Sequence, residues 1–187
     1  MKRKLEKKKD KKKNSNTGWI IKIIILAFVI SITFSFASET ILTNVGMVVG
    51  ILVLILFVLL GVIFDMIGVA VTSADIGPFN SMSAQKVRGS DIAVKFIRNA
   101  DKVSSFCNDV VGDICGIISG SAGVIVASSI SDKFNFPDLP TTLIMTGIVA
   151  SLTIGGKALG KGIAISNNTS ILHSFAEVVS LFYTVKK

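Results

Sequence analysis

Two short stretches of this chain hold side chains that offer oxygen to a hard cation. The first is Thr72-Ser73-Ala74-Asp75-Ile76-Gly77-Pro78, which follows directly on an apolar run at residues 45–71. It places two hydroxyls, a carboxylate and a Gly-Pro helix breaker at a membrane boundary. Such groups are costly beside lipid and usually face a protein interior or an ion path. The second stretch contains Asn108, Asp109 and Asp113 at the mouth of another apolar segment. Asp109 and Asp113 are four apart and share a helix face. Mg²⁺ takes near-octahedral oxygen and keeps several waters, so a few such ligands suffice. A plainer account also fits: interfacial solvation, with negative charge favoured at a helix N-terminus. It explains Asn108 and Asp109 well, and Asp113, a turn deeper, less well.

Asp65 lies inside the apolar run itself. An aspartate at a helix centre costs roughly 2.5–3.5 kcal/mol on insertion scales, so it needs a partner. Asp65 and Thr72 nearly share a face, and Thr72 and Asp75 are helical neighbours, which makes a polar strip toward the helix end. The alternative is that Asp65 already marks the cytosolic boundary. The apolar residues 66–71 argue against that.

The elements that must position these residues are membrane helices. Half of the 187 residues are hydrophobic and the mean hydropathy is +0.69, more than a soluble domain needs. Four candidate spans occupy residues 19–36, 45–71, 110–130 and 141–156, against about 20 apolar residues for one crossing. Trp19 sits at an interface and Lys22 snorkels. The second span is long enough to tilt or project. The fourth is short and takes in Pro140 or Lys157 at its ends. The expected fold class is all-α: a polytopic membrane bundle of three to four transmembrane helices with cytosolic juxtamembrane helices.

Net charge is +8, and the first thirteen residues hold nine Lys or Arg against Glu6 and Asp10. Without interleaved aromatics, this tail reads as a disordered topogenic segment touching anionic lipid, with no nucleic-acid partner. The positive-inside rule then puts both termini in the cytosol of a multi-pass cell-membrane protein. It leaves Glu39 and the loop at residues 131–140 outside, and the basic residues Lys86, Arg88, Lys95, Arg98 and Lys102 inside. Ser35-Phe36-Ala37 resembles a signal-peptidase site, whose use would leave three spans. Residues 83–106 and the helical repeat from Ile171 to Phe182, capped by Asn167-Asn168-Thr169, read as juxtamembrane helices.

Gly112, Gly116 and Gly120, and likewise Gly147, Ser151 and Gly155, are spaced by four and make ridges for close helix packing. Cys107 and Cys115 read as reduced small hydrophobes. No metalloprotease, nucleophile-elbow or P-loop motif is present, and the chain is not expected to be an enzyme. An intramembrane aspartyl protease would pair Asp65 or Asp75 with Asp113, but no supporting motif surrounds them.

These residues together resemble the transmembrane domain of the CorB/CorC/CNNM magnesium transport proteins. In that family an apolar first helix ends in a Ser-Ala-Ser-Glu type motif, here Thr72-Ser73-Ala74-Asp75. The basic segment ends in an Asp-Pro-Asp-Arg type sequence, here Asn99-Ala100-Asp101-Lys102. An Asn-Asn-Leu-Val-Asn type motif corresponds to Asn108-Asp109-Val110-Val111-Gly112-Asp113, and a Pro-Lys-Ala-Leu type motif to Gly156-Lys157-Ala158-Leu159. Departures are Asp75 in place of Glu, Gly or Asp at an asparagine position, and Thr153 nearest to a missing Glu. The CBS pair is also absent. Charge and hydropathy set off a tail (1–17) and a first transmembrane helix or signal anchor (18–37), and the resemblance marks a CorC/CNNM-like domain (45–183). It implies a homodimer in the lipid bilayer, a separate cytosolic regulatory chain, and binding and transport of Mg²⁺ or Co²⁺. Thr72, Ser73 and Asn108 would be ligands, and Asp75, Asp109 and Asp113 would make the cavity negative. The alternative function is a non-transporting scaffold or regulator built on the same bundle.

Overall fold

The computed structural model describes residues 21, 23–33, 35–36, 40 and 47–182, and among them there is no strand. The short apolar helix α1 covers Ile23–Thr33. Eight helical segments follow: α2 (Met47–Ser73), α3 (Ile76–Ala84), α4 (Ser90–Arg98), α5 (Ala100–Ser105), a π-helical turn (Phe106–Val111) and α6 (Gly112–Phe134), then α7 (Asp138–Ser166), with α8 (Asn168–Phe182) closing the described chain. The basic tail and Ala37 of the expected cleavage site lie outside the described residues.

Among the described residues three helices are long and apolar enough to cross a membrane: Met47–Ser73, the continuous run Ala100–Phe134, and Asp138–Ser166. The second of these is the centre of the bundle, because 56% of its apolar window is buried, against 17% and 11% for the other two. α2 buries mainly small or polar residues, Gly50, Gly61, Asp65, Gly68 and Ala70 among them. Its large side chains Leu52, Leu56, Leu59 and Ile63 are exposed. That inverts the pattern of a soluble helix and suits one packed by backbone approach in lipid.

Close approach does the packing at identifiable points. A Cβ added at Gly61 would lie 3.2 Å from Cys115 Cβ, and one at Gly160 would lie 2.8 Å from Met66 Cγ. So α6 and α7 both press on α2. Within the single chain the ridge glycines Gly116, Gly120, Gly147 and Gly155 face open space. Cys107 and Cys115 are free and buried.

At the C-terminal end of α2 a second layer forms. Phe79 of α3, Ile92 and Ala93 of α4, and Leu172 and Ala176 of α8 bury together with Ile67 and Val71. Gly89, at φ 81°, starts α4, and a side chain there would strike the α8 backbone 2.7 Å away at Glu177 N. Asn168 Nδ2 donates to the carbonyl of Ser73 at 3.1 Å, which satisfies one of the open carbonyls at the end of α2.

Three boundaries differ from expectation. Gly77 and Pro78 do not end the long helix but sit in the first turn of α3, where a missing N–H is harmless because the first turn has no intrahelical acceptor. The loop between α6 and α7 is only residues 135–137, with Asn135 at φ 57°. α7 continues ten residues past the expected end at 156, because Gly160 keeps it packed on α2.

Candidate cation site

Local sequence decides where the Thr72–Asp75 groups go. Ser and Thr near a helix end bond back to carbonyls three and four residues earlier when no other partner is in reach. Thr72 Oγ1 donates to Val69 O at 2.9 Å and Ser73 Oγ to Val69 O at 2.7 Å. Asp75 is the N-cap of α3, and its Oδ1 accepts from Gly77 N at 3.3 Å. All three residues are exposed. Asp109 and Asp113 are exposed as well.

Asn108 behaves differently. It lies in the π-helical turn, a feature often found at functional sites because it re-aims side chains within a helix. Its Nδ2 donates to Ser104 Oγ at 3.4 Å. Its Oδ1 rests on Gly68, where any Cβ would overlap it. That oxygen is buried and has no hydrogen-bond partner.

One turn earlier on the same face of α2 stands Asp65. Its side chain is 7% exposed, and its Oδ2 lies 3.9 Å from Lys161 Nζ of α7, a lysine 53% exposed. This separation is an ion pair without a hydrogen bond, and Oδ2 has no hydrogen-bond partner. A second lysine approaches from the same helix: a methyl group at Gly112 would lie 3.5 Å from Lys157 Nζ. The junction of α2, the π-helical turn and α7 therefore holds a buried carboxylate, an orphaned amide oxygen and two lysines.

Of the six residues expected to gather, only Asn108 points inward. Thr72, Ser73, Asp75, Asp109 and Asp113 are exposed. Among the described residues no three His, Cys, Asp or Glu side chains are grouped to hold a metal. Any ion here would rely on one carboxylate, one amide oxygen and water. Asp65 is the residue that the expected ligand set left out. Its depth in an apolar run signalled that it needs a partner, whereas Lys161 is 96 residues away in sequence and gave no local sign of being that partner.

No protein-family model, curated protein or solved structure matches this chain.

Proposed function

We propose that this protein binds a divalent cation within the membrane, between α2 and the π-helical turn, with Asp65 and Asn108 as its inner oxygen ligands. The observation that carries this reading is the pair of buried oxygens, Asp65 Oδ2 and Asn108 Oδ1, without hydrogen-bond partners. Buried acceptors left unpaired are expensive. A hard cation that keeps several waters answers that need with few protein ligands. Ionisable residues at membrane depth are functional candidates for the same reason.

The resemblance to CorB/CorC/CNNM proteins supplies Mg²⁺, with Co²⁺ as its rival, and transport as the process. In this reading Thr72, one turn beyond Gly68, is an outer hydroxyl, while Asp75, Asp109 and Asp113 draw cations to the entrance. The basic end of the bundle is cytosolic by the positive-inside rule. A second copy seats on the open glycines of α6 and α7, and a separate cytosolic chain regulates the pair.

The test is thermal unfolding of the purified full-length chain in detergent across a Mg²⁺ titration, followed by Mg²⁺ flux in proteoliposomes. Ligand at 100 times its Kd stabilises by about 2.7 kcal/mol. Asp65→Asn and Asn108→Ala are expected to abolish that gain and the flux. If millimolar Mg²⁺ leaves the unmutated chain unchanged, the reading fails. The scaffold reading then stands, favoured by the exposure of five of the six expected ligands, and a co-purifying partner is its sign.

A further inference from the structure

Asp65 presents an incomplete ion pair. Its side chain is more than nine-tenths buried, yet the only cation within 4.0 Å among the described residues is Lys161, and that contact, at 3.9 Å, is longer than a hydrogen bond. Lys161 is half exposed and sits at the outer part of α7. It carries a flexible four-carbon stem of the kind that follows either a buried anion or the aqueous interface. The neighbouring Asn108 oxygen is unpaired. Ammonium groups are strong donors to such oxygens, but Lys161 makes no hydrogen bond to either one. The lysine neutralises the carboxylate without hydrogen-bonding to it.

We infer that Lys161 is a tethered cation that stands against Asp65 when no metal is present, and that a divalent ion reaches the Asp65 and Asn108 oxygens by displacing it toward the interface. This rests on the cation reading above and adds its regulation. An ammonium and a divalent ion against a single carboxylate disfavour each other, because like charges in a low-dielectric site repel strongly. The same argument sets Lys161 apart from Lys157. Lys157 lies against Gly112, its Nζ is more than 4.0 Å from the Asp65 carboxylate, and its removal has the smaller effect. The device makes empty pockets cheap: the buried carboxylate is never left without a counter-charge, and ion affinity is lowered to a level that permits release.

The inference is tested on the full chain in detergent, with Mg²⁺ as the probe. First, a water-soluble amine-acylating reagent is applied to the unmutated protein with and without Mg²⁺, and lysines are read by mass spectrometry. Lys161 is expected to acylate faster with Mg²⁺, while Lys133 at the opposite end of the bundle stays constant. Second, Lys161→Met is expected to raise apparent Mg²⁺ affinity by about tenfold or more, as removal of a close competing charge does. Lys161→Gln serves as a length-conserving substitute if the methionine variant folds poorly. Lys157→Met is expected to change affinity less. Binding by Lys161→Met alone, with none by the unmutated chain, overturns the inference, since the lysine then excludes the ion instead of yielding to it. Mg²⁺ binding by the unmutated chain with unchanged Lys161 acylation and no gain in the variants overturns it and leaves the site reading intact. Absence of binding in all forms overturns both.

Discussion

α2 carries polar groups in two places, and they are handled in opposite ways. At Thr72–Asp75 every hydroxyl and carboxylate is satisfied within a few residues of its own backbone. At Asp65 and Gly68, two turns earlier, polar groups are met only by side chains from distant parts of the chain, and two oxygens are left unpaired. The difference is one of depth. At a helix end, open carbonyls and water are both at hand, so a polar residue solves its own problem. Inside the bundle the helix has no spare groups to give, and the solution must come from a neighbour. A polar residue in a membrane helix therefore signals function more strongly when it lies away from the helix end.

Substitutions at the two places should separate along the same line. The largest effect is expected at Gly68→Ala, where the new Cβ overlaps Asn108 Oδ1. Overpacking of this kind costs about 1–3 kcal/mol, read as a lower unfolding midpoint in detergent, and it should also remove any response to Mg²⁺. Asp75→Ala removes the α3 cap and should cost about 1 kcal/mol, while Asp75→Asn, which can still cap, should cost little. Asn168→Ala loses the bond to the Ser73 carbonyl, for about 0.5–1.5 kcal/mol. Thr72→Val with Ser73→Ala removes only bonds internal to one helix and should stay within about 0.5 kcal/mol. A double variant at Thr72 and Ser73 that destabilises as much as Gly68→Ala would break the comparison.

Much of the bundle is legible in the chain because hydropathy is a local signal. The apolar run at residues 45–71 becomes Met47–Ser73, and the segment at 110–130 lies inside Ala100–Phe134. The end of α7 was not legible: the stretch around Lys157 and Lys161 reads as leaving the membrane, yet Gly156 and Gly160 keep it helical against Val62 and Met66. The π-helical turn had no sequence sign, since nothing in Phe106–Val111 distinguishes it from an α-turn. For the site, the need of Asp65 for a partner was visible and the partner was not. The hydroxyls of Thr72 and Ser73 were visible too, but their inward aim depended on a cavity that their own backbone bonds leave them free to ignore. Glycine ridges have a similar limit: spacing by four says that a helix face is smooth, not which neighbour meets it.

The bond from Asn168 to the Ser73 carbonyl spans 95 residues, and it has a consequence in time. A chain made from its N-terminus at roughly 5–20 residues per second leaves that carbonyl waiting on the order of 5–20 s before its donor is synthesised. Until then the end of α2 must find water instead. The corner beside the polar junction is thus among the last parts of the molecule to close, and a nascent chain stalled before Asn168 would hold three assembled long helices with that corner still open.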